Sequence, residues 1–258
     1  MNDLLSPGLI EGFGLYLVRT SALVLAAPLL GDGAVFQGYK IGLVGVLSVM
    51  LFAAAGAPAI GDVETFDYAL LAAREVVIGL SLAFVLHTVM LAVRVAGELI
   101  GHEMAFNMSS VVDPSTGIST PLVTHMYETL FLLTLLAADG HHWAIRALAE
   151  SYERAPIGHL GSVEGLPSFA LNLFSQLFAA GLTFAAPILV LLMLVTLLVG
   201  LLTRAVPQIN VLEFGFNLRV AAGLGGMLLF APFLAPAMDV LLGHLMDGLE
   251  AGLNTLEV

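Results

Sequence analysis

The chain has 258 residues, of which 59% are hydrophobic and only 11% are charged, and its mean hydropathy is +0.99. Soluble domains are about 45–50% apolar and about 25% charged, so this composition predicts a protein of the membrane or of a membrane complex. The net charge is −12 with only eight lysine and arginine residues, which excludes the basic stripe that nucleic-acid binding requires. The chain has no cysteine, which excludes disulfides, thiolate nucleophiles and cysteine-based metal sites.

Six apolar segments are predicted as helices, so the expected fold class is all-α. No basic residue precedes Arg19, so the first segment lacks the positive start of a cleavable signal peptide and is expected to remain. No strong repeat and no low-complexity linker divides the chain, and a single domain over residues 1–258 is therefore expected. The predicted helices are Gly8–Leu30, Ile41–Ala59, Ala69–Met104, Pro121–Ala138, Pro167–Thr203 and Leu218–Leu242, followed by a short amphipathic tail.

The third predicted helix carries charged groups at one-turn spacing. Arg94, Glu98 and His102 lie at positions i, i+4 and i+8 and therefore share one stripe of the helix. In lipid each charged group would cost about 2.5–3.5 kcal/mol, so the stripe is expected to face protein or water. A structural ion pair of Arg94 with Glu98, a proton relay and the lining of a water-filled path all fit this pattern. Gly97 and Gly101 form a G-x-x-x-G on the same segment, which favours close helix packing, either within the chain or against other subunits.

A softer segment follows the stripe. Met104 and Met108 stand one turn apart with Phe106 between them, which is typical of core packing but also suits a deformable apolar seal. The sequence SSVVDPSTG over 109–117 cannot continue a helix past Asp113–Pro114. A non-helical segment at membrane depth persists only inside protein or along a cavity. The segment therefore borders a pore if it lies deep, and it is a simple turn if it lies at the surface.

No catalytic, cofactor or metal site is predicted. HEMAF over 102–106 begins like a zinc-hydrolase motif but has Phe106 where the second histidine is required. The sequence contains no phosphate loop, no nucleophile–base pair and no paired-carboxylate site. An enzyme is therefore not expected.

The residues Asp139–Glu164 are predicted as the only long polar connection. His141 and His142 are adjacent in it and would point about 100° apart on a helix, so they are not expected to chelate a metal as a pair. A capping or interface role beside Trp143, read as an interfacial anchor, is the favoured interpretation.

The longest apolar run, Pro167–Thr203, follows a helix-start pattern at Gly165–Pro167. Its 37 residues would form a helix of about 55 Å, against a hydrocarbon core of about 30 Å. The run is therefore either divided at Gly181 and Pro187 or forms one kinked helix. The basic residues divide four to three between the two sides of an alternating topology, a weak bias that argues against an ordinary bilayer arrangement.

Three blocks of sequence stand out in this order: RVAGELIGHEMAFNMSSVVDPSTG over 94–117, DGHHWAIRALAESYERAPIG over 139–158 and LLTRAVPQINVLEFGFNLR over 201–219. They resemble the FliR/SctT family of type III export-gate subunits, which carries A-G-E-x-I-G-x-x-M with a D-P-x-x-G turn, a G-H-H/L-W block ending in P-x-G, and an R-x-x-P-Q-x-N-V block. Asn217 and Arg219 stand where the family usually has Pro and Lys, which bears on the local bend near Phe216. The IGHEM sequence favours the flagellar branch over the virulence-associated injectisome branch.

This resemblance implies a helical, non-enzymatic subunit of the flagellar protein export gate, in the bacterial inner membrane and the flagellar basal body. The implied partners are FliP-type and FliQ-type subunits, FlhB and FlhA, and unfolded flagellar proteins that pass through the pore. In the family, helical hairpins wind into a closed assembly that stands partly out of the bilayer plane. The injectisome gate is one alternative, and a secondary transporter using Arg94, Glu98 and His102 as a relay is another.

The resemblance also implies a plug over residues 103–117 that closes the pore, with Met104, Phe106 and Met108 as its apolar seal. The residues implied to form the plug are Glu103, Met104, Phe106, Asn107, Met108, Ser109, Ser110, Val111, Val112, Asp113, Pro114 and Gly117.

Overall fold

A computed structural model describes residues 7–28, 37–61, 63–105, 122–158, 165–206, 208 and 210–255. These residues form seven α-helices and no strand, which confirms the predicted all-α class. The helices are α1 Pro7–Ala26, α2 Gln37–Ala54, α3 Thr65–Glu103, α4 Leu122–Ala137, α5 Gly140–Arg154, α6 Leu166–Ala205 and α7 Val211–Asn254.

Four of these helices, α1, α3, α6 and α7, are long and apolar enough to cross a membrane, and α4 with α5 forms a fifth candidate as one bent span. Helices α3, α6 and α7 contain 39, 40 and 44 residues. At about 1.5 Å per residue they are about 58–66 Å long, roughly twice the hydrocarbon thickness of a bilayer.

The longest apolar run forms one uninterrupted helix. Helix α6 continues through Gly181 and Pro187, so the alternative of a division at these residues is wrong. Helix α7 likewise contains Pro232 and Pro236 and extends to Asn254, so the predicted amphipathic tail is part of it. Proline interrupts such helices less than water-exposed ones because hydrocarbon offers the backbone no other hydrogen-bond partner. Pro167 occupies the first turn of α6, as its helix-start pattern predicts.

Helix α5 lies inside the segment that the sequence predicts as a polar connection, so that prediction is wrong. The helix is amphipathic, and its buried residues recur at helical spacing. They are Gly140, Ala144, Ala147, Leu148, Ser151 and Tyr152. The helix contains no long apolar run, because polar residues such as His141, Arg146 and Glu150 stand between its buried positions.

The described chain divides into two compact units. Unit 1 contains residues 1–88, 138–174 and 244–258, and unit 2 contains residues 89–137 and 175–243. Each of the three longest helices contributes one part to each unit. The expectation of a single domain stays a prediction.

In unit 1, α1 packs on α2 and on the segment that follows α2. The ring of Phe52 meets those of Phe13 and Tyr16 edge-on at centroid distances of 5.6 and 5.4 Å. The Ile60 amide donates to the Gly8 carbonyl at 3.0 Å. A Cβ at Gly8 would lie 2.0 Å from the Ile60 oxygen, so this approach requires glycine.

Unit 2 is held by close helix approaches at small residues, the packing typical of membrane helices. A Cβ at Gly97 of α3 would lie 2.5 Å from the Thr124 Cα of α4, and one at Gly181 of α6 would lie 2.6 Å from the Ala92 oxygen of α3. The ring of Tyr127 on α4 packs edge-on against that of Phe184 on α6 at 5.5 Å. These contacts join α3, α4 and α6.

Candidate functional site

The predicted polar stripe of α3 lies on an exposed side of the helix. Arg94, Glu98 and His102 are all exposed. The Arg94 Nε donates to Glu128 Oε1 on α4 at 2.5 Å, and the Glu128 side chain is only 14% exposed. In the single chain Arg94 thus pairs with Glu128, and the pairing of Arg94 with Glu98 inside an assembly stays a prediction. A carboxylate that is mostly shielded from water attracts a guanidinium more strongly than an exposed carboxylate one turn away on the same helix.

The predicted packing glycines lie beside this ion pair. Gly97 and Gly101 are both buried, and Gly97 faces the backbone of Thr124. The close approach at Gly97 is therefore made within the chain, against α4. The Arg94–Glu128 bond and the Gly97–Thr124 contact together join the last turns of α3 to the first turns of α4.

Met104 lies just beyond the end of α3 and is completely buried. A Cβ at Gly223 of α7 would lie 2.5–2.6 Å from the Sδ, Cε and Cγ atoms of Met104, so this side chain fills a notch that only glycine leaves open. Ala105 follows with φ 60°, and its amide donates to the His102 carbonyl at 2.9 Å. A left-handed residue at this point ends the helix. Met104 is thus fixed against α7 inside unit 2, and Glu103 beside it is half-buried.

The other predicted plug residues lie outside the described part of the chain. They are Phe106, Asn107, Met108, Ser109, Ser110, Val111, Val112, Asp113, Pro114 and Gly117. Their roles stay predictions.

Unit 1 contains a buried ion cluster that the sequence reasoning missed. Arg19 of α1 and Glu75 of α3 are both 0% exposed and meet with Nε to Oε2 at 2.5 Å. Arg19 also donates from its two terminal nitrogens to the carbonyl oxygens of Ser151 and Ala155 at 2.7 and 2.8 Å. Its guanidinium carbon lies 4.3 Å from the centre of the Tyr152 ring. All three guanidinium nitrogens thus have partners, as a buried charge requires.

A second arginine, Arg74, joins the same cluster and is 7% exposed. One of its terminal nitrogens donates to Glu75 Oε1 at 3.3 Å and to the Pro156 carbonyl at 3.1 Å. The carbonyls of Ser151, Ala155 and Pro156 lie in the last turn of α5 and just beyond it, where most backbone acceptors lack helical partners. The Ser151 carbonyl also accepts from the Ala155 amide at 3.0 Å. The helix dipole adds about half a negative charge there, which offsets part of the excess of two guanidinium groups over one carboxylate. The cluster therefore caps α5 with side chains from α1 and α3.

The sequence did carry a signal for this cluster. Arg19, Arg74 and Glu75 stand in largely apolar helices, and the insertion cost that applies to Arg94 and Glu98 applies equally to them. The sequence does not locate their partners, because its apolar pattern does not predict α5 as a helix.

The two adjacent histidines also differ from expectation. The ring centroids of His141 and His142 lie 4.1 Å apart, and one ligand atom from each lies within 4.8 Å of the other and of an Asp139 carboxylate oxygen. Their ligand atoms are therefore closer than the expected angle between the two side chains implies, and the expectation that they do not chelate a metal as a pair stays a prediction. Residues in the first turn of a helix can turn their side chains toward the helix end, so an angle of 100° between Cβ directions does not keep the ring atoms apart.

Comparison with known proteins places the chain in a family. The model of "Bacterial export proteins, family 1" matches residues 10–245. The chain is 32% identical to "Flagellar biosynthetic protein FliR" of Escherichia coli strain K12, over 90% of this chain and 88% of that protein. It is 30% identical to the protein of the same name from Bacillus subtilis strain 168, over 86% and 85% of the two chains. It is also 30% identical to that of Pectobacterium carotovorum, over 89% and 88%. The chain therefore belongs to the FliR family of bacterial export proteins, and it is a transport component rather than an enzyme.

Proposed function

We propose that this chain is a core subunit of the flagellar type III protein export gate, where it lines and plugs the pore through which unfolded flagellar proteins leave the cell. Membership of the FliR family supports a place in the flagellar export apparatus, and the apolar helices support a place in the membrane. For a bacterial protein of this kind we propose the inner membrane, at the flagellar basal body.

The length of the exposed apolar surface is the observation that carries this proposal. On α6, exposed large apolar side chains extend from Leu171 to Leu201, and on α7 they extend from Phe214 to Met246. These spans are about 45 and 48 Å at about 1.5 Å per residue. Lipid tails can cover about 30 Å of such a surface, so the remainder must be covered by protein. A subunit of a larger helical assembly meets this need, and a solitary transporter does not.

The partners that we propose are FliP-type and FliQ-type subunits, with FlhB and FlhA close by. At three glycines of the long helices, Gly200, Gly225 and Gly243, no neighbouring atom of the described residues lies within 4 Å of an added Cβ. Bare glycines on apolar helices let a neighbouring helix approach closely, so these positions suit docking by apolar helices of other subunits. The exposed Glu98 and His102 would then face protein or water inside the assembly.

We propose that residues 103–117 plug the pore, with Phe106 and Met108 as the apolar seal. The fixed position of Met104 supports a modified role for that residue. Because Met104 is seated in the Gly223 notch, it anchors the start of the plug rather than forming part of its seal. The Gly97–Thr124 contact holds the other side of the same hairpin.

Ion conductance of the assembled complex tests the plug. Deleting Phe106–Ser115 should leave a complex that still forms but leaks ions across the membrane. The double variant Phe106→Ser with Met108→Ser should also leak ions, and it leaves the chain length unchanged. The matched control replaces Ser109 and Ser110 by alanine and should stay closed. Unchanged conductance in the deletion, with assembly verified by co-purification, would contradict the plug.

A further inference from the structure

Three potential metal ligands meet at the start of α5 in unit 1. Asp139, His141 and His142 each bring one ligand atom to within 4.8 Å of the other two. The Asp139 Oδ1 and His142 Nδ1 atoms are 3.3 Å apart, and these two side chains are 70% and 66% exposed. Two of the three side chains, those of Asp139 and His142, are therefore open to ions from solution.

Capping does not account for the aspartate. Asp139 is the residue before α5 and has φ 57°, yet its side chain makes no capping hydrogen bond to the helix. Its carboxylate contacts the His142 ring instead. The backbone turn at the start of α5 does not need this carboxylate, because the His142 amide donates to the Asp139 carbonyl at 2.9 Å. The carboxylate is thus available to a cation.

The other histidine of the cluster, His141, has a ring nitrogen without a hydrogen bond among the described residues. This atom, Nδ1, is buried. This nitrogen is therefore not used by any described protein group and can serve as a ligand atom. A neutral imidazole is the form that binds metal ions.

The donor set and its spacing select a class of ion. Two imidazole nitrogens and one carboxylate oxygen suit a divalent first-row metal such as Zn²⁺, whereas Mg²⁺ and Ca²⁺ prefer oxygen ligands. Tetrahedral bonds of about 2.0–2.2 Å place neighbouring ligand atoms about 3.3–3.6 Å apart, and the Asp139–His142 distance of 3.3 Å lies in this range. Small rotations of the exposed side chains bring the third ligand in.

We propose that Asp139, His141 and His142 form a binding site for one Zn²⁺ ion at the start of α5, with the remaining coordination position open to water. The site lies in the G-H-H-W block of the sequence and gives its two histidines a chemical role. This proposal does not depend on the proposed gate function, since it is argued only from side chains of unit 1.

Calorimetric titration of zinc chloride tests the site. The full chain is purified in its complex through a tag without histidine, stripped with a chelator and titrated at neutral pH. One equivalent should bind with micromolar affinity, and X-ray absorption should report imidazole nitrogen and oxygen neighbours. His142→Ala and Asp139→Asn should each weaken binding at least about tenfold, because each removes one of three protein ligands.

The exposed histidine His125 of α4 provides the matched control, and His125→Ala should bind zinc like the unaltered protein. Asp139→Asn keeps the shape of the side chain, so a loss of zinc binding with unchanged co-purification cannot be attributed to misfolding. Equal zinc affinity in the His142→Ala, Asp139→Asn and unaltered proteins would overturn the proposal, and so would the lack of any binding at 100-fold molar excess of zinc.

Discussion

Replacement of Glu75 by glutamine should destabilise this protein strongly. In the native structure, Glu75 Oε2 accepts from Arg19 at 2.5 Å, and Oε1 accepts from Arg74 at 3.3 Å. Glutamine keeps one oxygen but replaces the other with an amide that donates, so one arginine would face a donor. Removing one partner of a buried ion pair costs about 3–5 kcal/mol, because it leaves a buried charge uncompensated.

The lower end of that range applies here. Arg19 keeps its bonds to the carbonyls of Ser151 and Ala155, and the negative end of the α5 dipole remains. A loss of about 3 kcal/mol would lower the midpoint of thermal unfolding by about 6–12 °C for a protein of this size. The midpoint can be measured in detergent by the loss of the monodisperse size-exclusion peak after heating.

Asp67→Asn is the matched control for this experiment, because Asp67 is an exposed carboxylate on the same helix. It should lower the midpoint by no more than about 4 °C, as expected for a first-turn charge worth about 0.3–1 kcal/mol. The double variant Arg19→Met with Glu75→Leu should recover part of the stability that Glu75→Gln loses, since an apolar pair needs no partners. A Glu75→Gln midpoint equal to that of Asp67→Asn would refute the assignment of a buried, tightly paired carboxylate.

Two further predictions concern unit 2. Gly223→Ala should lower the free energy of unfolding by about 1–3 kcal/mol through overpacking against Met104. Adding Met104→Ala to this variant should restore part of the thermal stability, and no recovery would contradict the contact between Met104 and Gly223. Arg94→Glu alone or Glu128→Arg alone should impair assembly, measured by co-purification, more than the double variant that carries both reversals. The expected contribution of the pair to stability is about 1 kcal/mol, because the arginine is half-exposed. Equal damage from the single and double reversals would argue against a direct pair.

The apolar runs located the helices because in a membrane protein length and hydrophobicity nearly determine the element. The starts of α4 and α6 agree with the predicted Pro121 and Pro167 to within one residue. Extension of α7 to Asn254 was not predictable from an apolar run. Its last three turns place Asp247 and Glu250 among apolar residues. They are helical because one side packs in unit 1, where Gly252 approaches the Phe169 ring.

The candidate site was predictable only where it depends on local spacing. The stripe of Arg94, Glu98 and His102 follows from a period of four residues, and all three do lie on one exposed side of α3. The partner of Arg94 does not follow from that period, because Glu128 is 34 residues away and is brought near only by the hairpin of α3 and α4. The same limit hid the carbonyls of α5 that Arg19 binds, 132 and 136 residues distant.

Co-purification tests the central claim, that this chain is one subunit of a multi-subunit export gate, most directly. The chain carries an affinity tag and is expressed alone or together with the proposed FliP-type and FliQ-type partners, and each preparation is extracted in mild detergent. We expect the chain alone to be unstable or polydisperse, because its overlong apolar helices lack their protein cover, and we expect a single stable complex with both partners. A monodisperse, stable chain that binds neither partner would contradict the account and would favour a secondary transporter.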